Sequence, residues 1–236
     1  DNMGGAAAVK GEFMGFRAVI FDMDGVLIDS EYLYLTGIHR ELQKKRPWVR
    51  EEDLYPSVGM DSARNRELMH RVAREPLDNL EFDRELEEIY SLFDDVCYRD
   101  ILYPEVPDVL RRLREMGFKT ALASSTGMEG IRKVLRQCGI GELFDYVVSG
   151  EQFRESKPNP EIYLTAMAAL GCRAGECLVV EDSTYGVTAG VAAGACVAAR
   201  RDSRFPFDQT GAAYRVDSLT EILELPGIAG QNDAAL

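Results

Sequence analysis

A chain of 236 residues can bury a sizeable core, as one large domain or as a domain with a smaller one inserted. Its formal charge of −13 repels polyanions and argues against nucleic acid, so a small soluble metabolite is a better expected partner than a polymer. No stretch is long and apolar enough to span a bilayer, residues 1–13 lack a hydrophobic signal core, and the five cysteines are odd in number without a C-x-x-C pair. A cytoplasmic monomer with reduced, mostly buried thiols and no membrane association is expected. Residues 1–13, rich in Gly and Ala, are set aside as a flexible extension.

The apolar run Ala18-Val19-Ile20-Phe21, bounded by Gly25, predicts a buried strand of a parallel sheet. After Asp29 the pattern becomes helical. Residues 31–103 predict an inserted all-α unit with helices over 32–45, 61–74 and 79–98, separated by Pro47, the Tyr55-Pro56-Ser57-Val58-Gly59 turn and Pro76. The core resumes at 104 with a helix over 105–116 closed by Gly117. Strands over 119–123, 146–149, 177–180 and 196–199 then alternate with helices over 128–137, 160–170 and from 185. Residues 213–216 suit an edge strand, and the Ser218/Glu221 capping box opens a last helix. The fold class is α/β: a Rossmann-like, doubly wound parallel sheet built from 14–30 and 104–236, with a helical insertion over 31–103.

Four strand-associated segments carry chemistry. In Asp22-Met23-Asp24-Gly25 the two acids share one side of an extended chain, and a carboxylate at the end of a buried strand needs a counter-charge. Ser124-Ser125-Thr126-Gly127 runs from a strand into a helix start, where hydroxyls and unpaired N–H groups make an anion cradle; capping the helix is the alternative. Lys157 stands just before the Asn159-Pro160 helix start, where a cation needs a separate reason. Glu181-Asp182-Ser183 ends another apolar run.

In this order the four segments resemble the motifs of the haloacid dehalogenase superfamily, in its phosphatase and β-phosphoglucomutase-like branch, from about Met14 to beyond Ser218. The resemblance implies that Asp22 is the nucleophile and Asp24 the general acid and base. It implies that Ser124, with Ser125, and Lys157 hold the phosphoryl group, and that the insertion is a cap. Oxygen ligands suit a hard cation, so Asp22, the backbone carbonyl of Asp24, Glu181 and Asp182 are expected to hold Mg²⁺. His39 and His70, the only histidines, have no ligand-like spacing, which argues against zinc and a histidine-based triad.

The expected reaction is hydrolysis of a phosphate monoester, with a sugar phosphate suggested by Asp29-Ser30-Glu31. Asp24 disfavours dehalogenation. A phosphosugar mutase is the main alternative; such relatives carry a cap histidine where this chain has Tyr34, and an arginine that Gly59-Met60-Asp61-Ser62 does not offer in register. A non-catalytic binding protein is the reading from another class. Gly186, Gly190 and Gly194 are read as helix packing rather than a dinucleotide loop. The basic cluster Arg40, Lys44, Lys45, Arg46 and Arg50 and the acid-rich stretch 78–95 are read as solvated helix faces.

Overall fold

Six parallel strands form one sheet in the computed structural model, which describes residues 15–60 and 62–229; the extension expected over 1–13 lies outside these residues. The strands are β1 (Ala18–Phe21), β2 (Lys119–Ser124), β3 (Tyr146–Ser149), β4 (Cys177–Glu181), β5 (Cys196–Arg200) and β6 (Tyr214–Val216), in the order β3-β2-β1-β4-β5-β6. The chain fills one side of β1 first and then crosses to the other, so the strand order reverses between β1 and β4. Open α/β sheets bind ligands at such a switch point. Phe21 is in register with both Leu122 and Val180, which places Asp22 level with the ends of both neighbours.

Alternation along β1 sends Val19 and Phe21 to one face and Ala18 and Ile20 to the other. The first face is covered by α4 (Val106–Glu115) and α5 (Met128–Cys138), the second by α6 (Glu161–Leu170) and α7 (Thr184–Ala192). Both faces being buried explains why the strands read as continuous apolar runs. On α7, a Cβ at Gly190 would come within 2.8 Å of Val197 Cγ2, so the expected helix-to-sheet packing holds there.

The insertion contains α1 (Ser30–Gln43), α2 (Ser62–Ala73) and α3 (Leu80–Ser91), which bury their own cluster around Leu42, Leu68, Phe82 and Leu86. Phe205, from the loop after β5, joins that cluster and packs edge-on against Tyr55. The helix expected over 79–98 ends at Ser91, and a short 3₁₀ segment follows at Tyr98–Ile101. Continuing it would set Asp94 and Asp95 at the negative end of the helix dipole. The last helix is a 3₁₀ turn, Leu219–Glu224, with its capping box formed; Pro226 holds Leu225 extended and stops it. Among the described residues no helix is long and apolar enough to cross a membrane. The five cysteines are free, but only Cys172 and Cys177 are buried and Cys97 is exposed.

The basic cluster is not uniformly solvated. Arg46 is buried, bonds Glu75 and Glu85 at 2.9 to 3.2 Å and lies 4.4 Å from the Phe82 ring centre, tying α1 to α3. His70 is fully buried, with Nδ1 2.7 Å from the Pro76 carbonyl and Nε2 2.8 Å from Asp83 Oδ1. Arg66 donates to both oxygens of the same carboxylate, at 2.7 Å each. Bonds from Arg66, then His70, hold Asp83 down at about 2 from the usual 3.8. A lowered carboxyl stabilises the fold above its unfolded value and loses that contribution as pH falls through the folded one. Asp83→Asn is therefore expected to lower the melting temperature at pH 6 and to leave it close to wild type at pH 2, as read by thermal circular dichroism.

Candidate active site

Asp22 follows β1 directly and extends the ladder by donating its N–H to Val180 O at 2.9 Å. Met23 turns into the core, and its carbonyl accepts from Leu27 N at 2.8 Å, closing a tight loop. Gly25 has φ +74°, and a Cβ there would sit 2.1 Å from Asp182 Oδ2. Glycine is thus required twice, for the turn and for the close approach of Asp182.

Lys157, 3 % exposed, points into this strand end from the loop before α6. Its ammonium donates to Asp22 Oδ1 and Glu181 Oε1, both at 2.7 Å, and to Ala123 O at 3.1 Å. Glu181 is fully buried. Its Oε1 also accepts from the Tyr163 hydroxyl of α6 at 2.5 Å, and its Oε2 from Asp182 N at 3.0 Å and Ser183 Oγ at 3.3 Å. Gly186 is not merely packing against the sheet: a Cβ there would fall 1.8 Å from the Glu181 carboxyl carbon.

Asp24 is held differently. Ser30 Oγ donates to its Oδ1 at 2.6 Å and Thr126 Oγ1 to its Oδ2 at 2.7 Å, an arrangement that suits a carboxylate facing the cavity. Ser124 is fully buried, and its Oγ accepts from Thr126 N at 3.1 Å. Ser125 and Thr126, one and two residues on, line the cavity. The side chains that reach the cavity surface from this segment are those of Ser125 and Thr126, not that of Ser124.

Burial pushes the Asp22 carboxyl up to about 7; Lys157 pulls the other way, and the Glu181 and Asp24 carboxylates add to the rise. Burial likewise raises Asp182 well above the usual carboxylate range, helped by Glu181, Glu31 and Asp22. Burial works against charge on Lys157, but Asp22 and Glu181 hold it well above its ordinary value. One ammonium therefore faces more carboxyl groups than it can neutralise, and the site calls for a further cation.

The donor set fits one. Asp22, Glu181 and Asp182 each offer a carboxylate oxygen within 4.8 Å of the others, an all-oxygen cluster that suits a hard divalent ion. Of the three, Asp182 is the most available, because both Glu181 oxygens already accept protein donors. The side chain of Asp24 is engaged by Ser30 and Thr126, so its carbonyl is the group left for a metal.

The site opens into a cavity of about 700 Å³ between sheet and insertion. Glu31, Tyr34, Met60 and Arg64 line it from the insertion, and Glu151, Arg154 and Glu155 from the loop after β3. Tyr34 shares a hydroxyl–hydroxyl bond with Tyr98 at 3.1 Å. Sequence reasoning did not single out Tyr163, Arg64 or Arg154, and it named Glu31 only within the segment Asp29-Ser30-Glu31. Tyr163 had a visible signal, a phenol within the apolar helix Glu161–Leu170; Arg64 lies two residues beyond the register searched for a cap arginine. None of Arg40, Lys44, Lys45, Arg46 and Arg50 lines the cavity.

The chain matches a family model described as haloacid dehalogenase-like hydrolase over residues 16–194. It is 34 % identical to a phosphorylated carbohydrates phosphatase of Thermotoga maritima, over 75 % of this chain and 82 % of that one. It is 31 % identical to hexitol phosphatase B of Escherichia coli K12, over 87 % of this chain and 93 % of that one. Among solved structures it superposes on the β-phosphoglucomutase of Clostridium difficile with a TM-score of 0.73 at 21 % identity, over 93 % and 98 % of the two chains, a likeness of fold. A match running from the first strand through the helix after the last acidic pair, with relatives aligned along most of their length, shows that the chain belongs to the haloacid dehalogenase-like hydrolases.

Proposed function

We propose that this protein is a Mg²⁺-dependent phosphatase that hydrolyses a small phosphorylated carbohydrate through an aspartyl-phosphate. The observation that carries the reading is the contrast between two acids two residues apart. Asp22 is clamped by a buried ammonium, whereas Asp24 faces the cavity between two hydroxyl donors. The first arrangement orients a nucleophile and screens its approach to a phosphate dianion; the second suits a group that exchanges a proton. The phosphatase names of the relatives point the same way.

In the first step an Asp22 oxygen forms a bond to phosphorus as the ester P–O bond breaks, and Asp24 delivers a proton to the departing alkoxide. In the second, Asp24 takes a proton from water, whose oxygen attacks phosphorus and releases Asp22 and inorganic phosphate. Ser125 orients the phosphoryl oxygens and Lys157 balances their charge, while Ser124 braces the cradle through the Thr126 N–H and Thr126 sets the direction of the Asp24 proton. Mg²⁺, held by Asp22, the Asp24 carbonyl, Asp182 and Glu181, would supply charge neutralisation for the phosphoryl group. The insertion over 31–103 closes the cavity from above and limits bulk water.

Asp22→Asn is expected to lower turnover by on the order of 10³-fold or more while the circular dichroism melt stays near wild type, because the amide is no nucleophile. Asp24→Asn should slow leaving-group release, followed in a single turnover, by roughly 10²- to 10⁴-fold for an alkyl phosphate and far less for p-nitrophenyl phosphate, whose leaving group needs no proton. Equal losses on the two substrates would remove Asp24 as the acid. With β-glucose 1-phosphate and Mg²⁺, phosphorus NMR should show free phosphate or no reaction. Efficient formation of glucose 6-phosphate would replace the phosphatase reading with the mutase one.

A further inference from the structure

The acids of the site divide by what already holds them. Asp22 is paired with Lys157, Asp24 accepts from Ser30 and Thr126, and Glu181 accepts from Lys157, Tyr163 and the Asp182–Ser183 segment. Asp182 belongs to the oxygen cluster suited to a cation. Glu31 is the remainder. It lines the cavity from the first turn of α1, is only partly exposed, and no hydrogen bond or ion pair reaches it from the described residues. It also lies outside the cation cluster. It directly follows Ser30, whose hydroxyl holds Asp24, so its carboxylate belongs to the wall beside the acid that serves the leaving oxygen.

The charge of the whole cavity points the same way. Its lining carries five acids, Asp22, Asp24, Glu31, Glu151 and Glu155, against three bases, Arg64, Arg154 and Lys157. A divalent cation and a phosphate dianion cancel one another, which leaves the departing group in a net negative field. From the insertion side the cavity also meets Ser57, Ser62, Tyr34 and Met60, which are uncharged, and Arg64, already counted among the three bases. A carboxylate or a second phosphate on the leaving group would meet unpaired like charge, whereas hydroxyl groups would find an acceptor.

Resting on the phosphatase reading, we infer that Glu31 is a specificity-determining residue that accepts hydroxyl protons from the leaving group, and that it commits the enzyme to uncharged polyhydric leaving groups, linear or cyclic, over anionic ones. A cavity of about 700 Å³ has room for a six-carbon polyol and far exceeds a two-carbon acid. The inference separates this chain from phosphoglycolate hydrolysis, the activity named for one of its relatives.

The test measures kcat and KM with Mg²⁺ for sorbitol 6-phosphate, 2-phosphoglycolate and p-nitrophenyl phosphate, on wild type and on Glu31→Gln. Wild type should favour sorbitol 6-phosphate over 2-phosphoglycolate by about 10²-fold in kcat/KM. In Glu31→Gln the KM for sorbitol 6-phosphate should rise about 10-fold, kcat/KM for 2-phosphoglycolate should rise by a similar factor, and p-nitrophenyl phosphate, whose leaving group offers no hydroxyl, should lose less in kcat/KM than sorbitol 6-phosphate does. A merely structural role would depress all three substrates together, and that result overturns the inference. So does a wild type that prefers 2-phosphoglycolate while hydrolysing p-nitrophenyl phosphate normally, an outcome that leaves the phosphatase reading standing. No phosphate release from any of the three overturns the phosphatase reading, and the inference with it.

Discussion

One buried ammonium shared by two buried carboxylates governs the architecture of this molecule. Removing Lys157, Asp22 and Glu181 from water costs several kcal/mol per ion, and attraction offsets that cost only when every remaining proton and lone pair finds a partner. Lys157 spends all three of its protons, on Asp22, Glu181 and the Ala123 carbonyl. Glu181 is completed by a tyrosine hydroxyl from one helix and by the start of another. The two helices that cover one face of the sheet are thereby bound into the site as well as into the core: α6 supplies Tyr163, and α7 leaves space at Gly186 for the carboxylate.

The arrangement is under-neutralised. More carboxyl groups converge here than one lysine can balance, which is why burial and mutual repulsion raise Asp22 and Asp182 together. A fold selected for stability alone would place apolar side chains at these strand ends. Retaining unbalanced acids instead gives the site an oxygen-donor chemistry that fits a hard cation.

The insertion is coupled to this centre at a few contacts. Ser30 and Glu31, at the start of α1, bring it to Asp24 and to the cavity. Arg204, from the loop after β5, donates to both oxygens of Asp29 at 3.0 and 2.6 Å and lies over the Tyr32 ring, while Phe205 enters the helical cluster. Any opening about the Asp29 linker has to part that ion pair and withdraw that ring, so access to the cavity and the integrity of the insertion's core are linked.

The parallel sheet, its strands and the four chemical segments were legible in the sequence because each depends on local pattern: short apolar runs, glycines, hydroxyls at a helix start, adjacent acids at a strand end. The first strand, Ala18–Phe21, lies where the pattern predicted it, and the fourth extends one residue further, to Glu181. Contacts between residues far apart in the chain were not legible. Arg46 reads as one more solvated base until α3 brings Glu85 and Phe82 to it. Tyr163 carries no reading of its own until β4 sets Glu181 beside its hydroxyl. Glu31 is legible only as part of Asp29-Ser30-Glu31 until the sheet end, the insertion and the loop after β3 enclose it. Residue type and spacing determine which groups exist and on which face of an element they stand. Only the folded chain decides which of them are already paired, and therefore which remain to meet a ligand.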